Sequence, residues 1–552
     1  MKQLALVLLA FSLCGMAFAQ QQQHHHQAAP PQQKPVALMP GLGDLHHPVT
    51  TASPEAQKFF DQGMRLIFAF NHEEAARSFE HAAKLDPKLA MAYWGVAEAI
   101  GPNYNDPADP DRFKKAHEAI QKASDLSAGA SPSERAWIAA MAKRFPGNPS
   151  ADLRQAAEAY HDAMREVVKQ FPDDLDAAAL FAESGMTLHP WGLWHPDGTP
   201  EAGTEEIIAT LESVLRRDPN HVGAIHYYIH AVEASPTPER ALAAANRLAS
   251  LAPAAGHLVH MPGHVYIRTG DFESAVKTNE KAAAADRAYM QSGGAQGMYA
   301  AMYYSHNLHF IAACSSMSGN YDEAHKAAGM LAAHVGPLVK SIPPLEGFMT
   351  IPLSVEIRFQ KWDQILATAK PDPAMKITNV FWHFARGMAL AAKGKLVDAE
   401  AEYNAVADAE AATPPDVVFN MPVNNKAKDI LHIAKNVLGA KIATAKHDNA
   451  GALSLLRDAV SIQDSLKYDE PPDWFFPVRE TLGAVLLLDG NAAEAEKVFR
   501  DDLERNPRNP RSLLGLREAL KAQHREYDAQ FVDRQFKASW KSVAKLTVQD
   551  LT

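Results

Sequence analysis

The sequence has very little cysteine and no long apolar run beyond its first residues. Only Cys14 and Cys314 occur among 552 residues. Cys14 lies in a segment expected to be cleaved off, so the mature chain cannot form an internal disulfide. No later stretch reaches the roughly 18 apolar residues of a membrane-spanning helix. We therefore expect packing alone to hold the fold together, and we expect no membrane insertion.

Excess positive charge and the common catalytic motifs are also missing. The formal net charge of −11 argues against nucleic acid or an anionic membrane as a partner. The chain has no Gly-rich phosphate loop, no GxSxG turn and no HExxH pair, so the usual kinase, hydrolase and zincin interpretations have no support. It also lacks a sustained alternation of apolar and polar residues. The remaining fold class is all-α.

The N-terminal residues have the composition of a targeting segment followed by a polar tail. Residues 1–19 combine a basic start, an apolar stretch and the small-x-small end AFA at 17–19, which predicts a signal peptide and an exported protein, periplasmic or secreted. Residues 20–50 are rich in Gln, His and Pro and are expected to be disordered. The three histidines at 24–26 can scavenge metal, although a plain polar tail is the simpler interpretation.

Small and apolar residues recur in a fixed frame through the rest of the chain. The first clear unit carries Gly63, Leu66, Ala75, Phe79, Ala82 and Pro87. The last clear unit carries Gly483, Leu486, Gly490, Ala495, Phe499 and Pro507. Both resemble the tetratricopeptide repeat, in which two antiparallel helices end at a proline. The resemblance implies a right-handed superhelical solenoid of helix pairs.

The repeat frame divides the chain into four parts. We expect N-terminal repeat-like helices at 51–174, central repeats at 175–340, C-terminal repeats at 341–509 and charged capping helices at 510–552. An aromatic and Pro/Gly-rich insert at 188–204 interrupts the array. Because insertions in a solenoid often emerge over the binding face, this insert is a candidate lid. The sequence leaves open whether it closes the groove.

Two histidine pairs lie one repeat apart in the same phase. His226 and His230 are followed by His260 and His264, and both offsets equal the 34-residue length of the tetratricopeptide repeat. Histidines at i and i+4 share one face of a helix. Stacked helices would therefore bring all four imidazoles to one inner surface.

The repeat frame adds further histidines and glutamates to the same face. Repeat positions 2, 5, 9 and 12 share that face, which by resemblance to other tetratricopeptide proteins lines a concave groove. The predicted site consists of Glu183, His226, His230, Glu233, His257, His260, His264, His306 and His309.

Imidazole and carboxylate groups in this pattern are typical of transition-metal ligands. Copper or zinc is favoured, while iron or manganese stays possible because the set mixes glutamate with histidine. If the chain is an enzyme, the metal would activate water or oxygen, with Glu183 or Glu233 as a possible base. The sequence does not decide whether the protein is an enzyme or which small molecule it would act on.

A metal-free interpretation stands beside this one. Histidine pairs on helices often serve only in packing, and repeat duplication can copy them without a function. The alternative function is a scaffold that binds a peptide or protein partner in the groove, the commonest use of this architecture. The flanking residues favour the metal, because IHYYIHAVE and VHMPGHVYI have diverged around unchanged histidines.

Whole phrases of the chain resemble a family of exported bacterial tetratricopeptide proteins without an assigned reaction. The phrases are FNHEEAARSFEHAAKLDPKLAMAYWG, GPNYN, AIHYYIHAVEASPTPERAL, GHLVHMPGHVYIRTGDF and EPPDWFFPVRETLGAVLLLDG. The resemblance implies the repeat fold and transfers no catalytic residue.

Overall fold

Helices make up nearly all of the regular structure. The computed structural model describes residues 35–107, 109–148, 152–293, 299–420, 423 and 425–552. Over these residues it contains isolated β-bridges but no named strand, which confirms the all-α prediction. The predicted signal peptide at 1–19 and the histidines at 24–26 lie outside the described residues.

The helices succeed one another as pairs joined by short turns. The first group is α1 (Pro54–Ile67), α2 (His72–Leu85), α3 (Ala90–Ile100), α4 (Pro110–Leu126), α5 (Pro132–Arg144) and α6 (Leu153–Gln170). The central group is α7 (Leu175–Met186), α8 (Thr204–Arg217), α9 (Val222–Glu233), α10 (Leu242–Leu251), α11 (Gly256–His260), α12 (Pro262–Arg268), α13 (Phe272–Gln291), α14 (Ser305–Ser318) and α15 (Tyr321–Val335). The last group is α16 (Ile351–Arg358), α17 (Trp362–Ala367), α18 (Lys376–Ala392), α19 (Leu396–Ala412), α20 (Ala427–Ala445), α21 (Asn449–Ser465), α22 (Val478–Leu488), α23 (Ala492–Arg505), α24 (Pro510–Ala522) and α25 (Glu526–Ser539).

Sequence signals at the helix starts account for many of these boundaries. Ser53 caps α1 by accepting a hydrogen bond from the backbone N–H of Ala56, with Pro54 in the first turn. Ser131 and Glu134 form a reciprocal capping box at the start of α5. Such caps satisfy backbone N–H groups that have no partner inside the helix.

The small residues of the repeat frame allow neighbouring helices to approach one aromatic ring. A Cβ atom on Gly63 of α1 or Gly95 of α3 would lie 2.5 or 2.4 Å from the ring of Phe79 on α2. In the last predicted unit, Gly483 has the same relation to Phe499, at 2.6 Å. This glycine–phenylalanine packing at both ends of the array is the physical basis of the tetratricopeptide solenoid, and the prediction of that fold is confirmed.

Residues 38–552 form one compact unit. The predicted boundaries after 174, 340 and 509 all fall between helices. None of the described helices combines the length and apolar character needed to cross a bilayer.

Part of the segment expected to be disordered is packed against the helices. Leu42 is buried, the backbone carbonyl of Gly41 accepts a hydrogen bond from Ala254 at 2.9 Å, and His47 Nδ1 lies 2.8 Å from Asp176 Oδ2. The expectation of disorder over 20–50 therefore does not describe residues 38–50. Composition misses these contacts because their partners come from distant repeats.

The central repeats also contact the C-terminal ones directly. Arg268 Nη1 donates to the carbonyl of Arg505 at 3.3 Å, and the turn at Gly270 packs so closely on Pro507 that a Cβ would lie 2.0 Å from its carbonyl oxygen. These contacts bring the C-terminal repeats over the end of α12, next to the histidine-bearing helices.

Candidate functional site

Four central helices supply the histidines of the site. Helix α9 carries His226, His230 and Glu233. The chain from α11 to α12 carries His257, His260 and His264. Helix α14 carries His306 and His309, and a π-helical turn, Ala300–Tyr304, precedes it. Such turns are frequent at functional sites.

The imidazole rings meet through their Nε2 atoms. Nε2 of His226 lies 3.0 Å from Nε2 of His257, and Nε2 of His260 lies 2.6 Å from Nε2 of His264. The ring of His306 is 4.7 Å from that of His260 between centroids. The 34-residue phase thus places the two histidine pairs side by side, as the spacing indicated.

The opposite ring nitrogens are held by hydrogen-bond acceptors. His226 Nδ1 lies 2.7 Å from the carbonyl oxygen of Phe68, and His260 Nδ1 lies 2.7 Å from Oδ1 of Asn279. The amide nitrogen of Asn279 donates to the carbonyl of Ala275, which leaves its oxygen facing the histidine. Because both oxygens can only accept, both Nδ1 atoms carry the proton and, in the neutral rings, both Nε2 atoms carry a lone pair.

Glu233 fixes the other two histidines in the same way. Its Oε1 lies 2.8 Å from His230 Nδ1, and its Oε2 contacts His264 Nδ1. Burial opposes ionisation of Glu233, but the neighbouring His264 and His230 outweigh it and lower the pKa of this carboxyl to about 2. A carboxylate that accepts from the outer nitrogen of a histidine is the usual support of a metal ligand.

The result is a set of facing lone pairs in a dry environment. Burial lowers the pKa of His226 and His260 well below the usual 6.5, so both rings are neutral at pH 7. The Nε2 lone pair of His260 faces Nε2 of His264 at 2.6 Å, and two facing lone pairs repel each other unless a proton or a metal ion lies between them.

Glu470 adds a carboxyl group that the repeat frame does not contain. Its Oε2 lies 3.6 Å from His264 Nδ1, and it is buried with no hydrogen-bond partner in the described part of the chain. The hydroxyl of Tyr468 donates to its other oxygen. Burial and then the charge of Glu233 raise the pKa of Glu470 well above its usual value.

Glu183 lies apart from the histidines, contrary to the prediction. Arg144 of α5 forms a buried ion pair with Glu98 at 3.0 Å, and Glu183 belongs to this pair's surroundings. Burial, with the charge of Glu98, raises the pKa of Glu183 to about 8 although Arg144 opposes the shift. The charge of Arg144 acts on both Glu98 and Glu183, an interaction that the repeat frame does not reveal. We therefore assign Glu183 to the surroundings of the Arg144–Glu98 pair, and not, as predicted, to the metal ligands or to the role of a base.

His309 is also separated from the other imidazoles. Its ring packs against Phe348 and Phe475, with centroids 5.6 and 6.4 Å away. Its Nε2 has no hydrogen-bond partner among the described residues, and burial lowers its pKa to about 3. His309 lines the same cavity as the cluster but does not belong to the groups of ligand atoms that lie within 4.8 Å of one another.

The isolation of His309 leads to a prediction about acid stability. The pKa of His309 is about 3 in the folded protein and near 6.5 in the unfolded chain. Its contribution to the free energy of unfolding is therefore fully present above pH 6.5 and is lost as the pH falls towards 3. Between pH 7.5 and 5.0 the free energy of unfolding should fall by about 2 kcal/mol more in the wild type than in His309→Phe. Urea denaturation of both proteins at the two pH values measures this difference. An equal pH dependence would contradict the burial of a neutral His309.

A partly open cavity of about 190 Å³ adjoins the histidines. From the cluster it is lined by His230, His257, His264 and His306. Its other walls include Trp191, Tyr303, Phe348, Asn103, Asn105, Asp469 and Glu470. A largely apolar cavity with a few converging polar groups is the usual form of a small-molecule site.

The insert at 188–204 forms one wall of this cavity. Trp191 Nε1 donates to Oδ1 of Asn105 at 3.0 Å, and the amide nitrogen of Asn105 donates to the hydroxyl of Tyr303 at 3.2 Å. The ring of Tyr104 stacks on Trp191 with centroids 5.5 Å apart. The insert and the GPNYN phrase thus form a common wall of the cavity.

A second His/Asp group lies away from the cluster, and its members pair with one another or with neighbouring side chains. His47, Asp174 and Asp176 place possible ligand atoms within 4.8 Å of one another. However, His47 pairs with Asp176, and Trp137 Nε1 donates to Asp174 at 3.1 Å. His221 Nδ1 accepts from a backbone N–H, so its proton is on Nε2, 3.2 Å from Asp176. These contacts account for the group as an anchor for the preceding segment.

Comparison with known proteins identifies solved structures with a similar fold but does not identify a family. No protein-family description matches the chain, and no curated protein matches it. A structure of a human IFIT1 dimer with m7Gppp-AAAA is 12% identical, with a TM-score of 0.32, over 89% of this chain and 92% of that one. The P58(IPK) TPR domain is 11% identical, with a TM-score of 0.21, over 85% and 98%. A Cut9–Hcn1 hetero-tetramer of the APC/C is 11% identical, with a TM-score of 0.30, over 96% and 82%. Likeness at this level carries no functional argument.

Proposed function

We propose that this chain binds a transition metal in its buried histidine cluster and presents it to the adjoining cavity. The observation that carries the proposal is the paired orientation of the rings. Each anchored Nδ1 is turned outward to a protein acceptor, so that the Nε2 lone pairs converge. Metal-binding histidines have this arrangement, because the outer acceptor fixes the tautomer and the direction of the ring.

The ligand set favours copper or zinc. Neutral imidazole binds zinc, copper, iron and nickel, and copper binds most strongly among the divalent first-row ions. We also propose that the protein is exported, as residues 1–19 indicate, which leaves it outside the metal pools of the cytoplasm. Iron and manganese are less favoured because Glu183 lies elsewhere and Glu233 is engaged by two histidines.

The cavity supports a role in the chemistry of a small molecule rather than in metal storage alone. A metal bound here would polarise or activate a ligand in the cavity. Both oxygens of Glu233 are occupied, whereas Oε2 of Glu470 on the cavity wall is buried and has no hydrogen-bond partner among the described residues. Glu470 is therefore the proposed acid or base, in place of Glu183 and Glu233.

The scaffold alternative is disfavoured at this site by burial. His226 and His260 are 0% exposed and Glu233 is 1% exposed, so these members of the cluster offer a peptide almost no surface. A scaffold role on other faces of the solenoid remains the alternative if the protein is free of metal.

Metal analysis of the purified full-length chain tests the proposal. The protein should be made without a tag and with glutamine at positions 24–26, so that the N-terminal histidines do not contribute. We expect at least one copper or zinc ion per chain by mass spectrometry of the metals, retained through gel filtration. A protein that contains no metal and binds none on addition of either ion would overturn the proposal.

A further inference from the structure

The histidine cluster consists of two separate groups of three. His226, His230 and His257 place one ligand nitrogen each within 4.8 Å of one another. His260, His264 and His306 do the same. The first group comes from α9 and the start of α11, and the second from the α11–α12 junction and α14.

Each group has the dimensions of a single metal site. Two nitrogens bound to one tetrahedral zinc or copper ion, at the usual 2.0–2.1 Å, lie about 3.3 Å apart. The closest nitrogens are 3.0 Å apart in the first group and 2.6 Å apart in the second. Three protein ligands with one open position are the usual composition of a catalytic site.

One ion cannot use both groups. A four-coordinate ion would take at most four of the six nitrogens and leave two buried without a partner. His230 Nε2 already has none among the described residues, although the Nδ1 of the same ring is held by Glu233. A second ion accounts for the nitrogens that the first cannot reach.

Glu233 joins the two groups. It accepts from His230 of the first group and from His264 of the second, so one buried carboxylate supports a ligand of each ion. Asp469 and Glu470 lie on the wall of the same cavity. The ionised Glu233 lies next to both groups, and two bound cations would favour ionisation of Asp469 and Glu470, whose pKa values burial raises without a metal.

We infer that the cluster holds two metal ions, one in each three-histidine group, with both open positions directed to the cavity. The inference rests on the proposed function. His230 and His257 of one group and His264 and His306 of the other all line that cavity. The ligand class it predicts is a small molecule or anion that can contact both ions at once.

Copper titration of the metal-free protein, again with glutamine at 24–26, tests the inference. The wild type should bind two Cu²⁺ ions per chain, and an anion that contacts both ions would couple the two spins and weaken the paramagnetic resonance signal. His257→Gln and His306→Gln should each bind one ion and show a mononuclear signal. The control His309→Gln should still bind two.

Glu233→Gln separates this arrangement from a single ion held by His230, Glu233 and His264, whose ligand atoms also lie within 4.8 Å. With two ions, Glu233 is an outer support, and its loss should weaken binding about 10–100-fold while two ions still bind at saturation. One ion in the wild type that is lost in Glu233→Gln would overturn the inference and leave the proposed function standing. Zero ions in the wild type would overturn both. If a variant fails to fold, the wild-type stoichiometry and spectrum decide alone.

Discussion

The double variant His226→Gln with His260→Gln should bind metal at least 100-fold more weakly than the wild type. A protein-bound structural zinc ion is worth about 10–16 kcal/mol over four ligands, so one ligand contributes about 3 kcal/mol, or roughly 100-fold in affinity. The variant removes one Nε2 from each three-histidine group. Glutamine retains an N–H that can donate to Phe68 and Asn279, so the anchoring contacts need not be lost.

Competition with a chelator of known affinity measures this loss. The matched control is His72→Gln with His309→Gln. His72 is half-buried and His309 is buried; both line the cavity, and neither belongs to a three-histidine group. The control should bind metal within about threefold of the wild type. Equal loss in both double variants would mean that the histidines act through general packing.

The second large effect is expected at an ion pair that joins the histidine-bearing α14 to the C-terminal repeats. Arg358 makes two hydrogen bonds to Glu480, both 3.1 Å long, and its Nε donates to the carbonyl of Ser316 in α14. The two charged side chains are 1% and 3% exposed. Glu480→Gln leaves the Arg358 charge buried without its counter-charge, so the free energy of unfolding should fall by about 3–5 kcal/mol.

Urea denaturation followed by circular dichroism measures this change. The control is Glu273→Gln, which removes exposed pairs with Lys277 and Lys541 and should leave the free energy of unfolding nearly unchanged. A loss below 1 kcal/mol in Glu480→Gln would show that the Arg358 charge finds another partner or is hydrated.

The sequence was most informative where the repeat itself sets the geometry. Helix packing follows from small residues at fixed positions, such as Gly63 against Phe79. A common phase of 34 residues likewise predicts that His226 and His260 lie on adjacent helices. Within the array, the position of a residue in its repeat therefore predicts where its side chain lies in the fold.

The rest of the site depends on contacts that no repeat frame encodes. Glu470 reaches His264 from more than 200 residues away, and Trp191 reaches Asn105 through an insert. Glu183 has the right phase, yet it belongs to the surroundings of the buried Arg144–Glu98 pair. The position of a residue in its repeat predicts which face of a helix the side chain occupies, but it does not predict which charged group the side chain contacts there.

The phrases that carry the family resemblance converge on the cavity. FNHEEA contributes Phe70 and His72, GPNYN contributes Asn105, and EPPDWFFP begins with Glu470. None of these four residues was predicted as part of the site, because these three phrases lie outside the repeats that carry the paired histidines.

The most direct test of the metal site is an anomalous-difference map from crystals of the copper- or zinc-loaded protein, collected at the edge of that metal. We expect peaks among the Nε2 atoms of His260, His264 and His306 and among those of His226, His230 and His257. A map of the loaded crystal that has no peak at these histidines would contradict a metal site in the cluster.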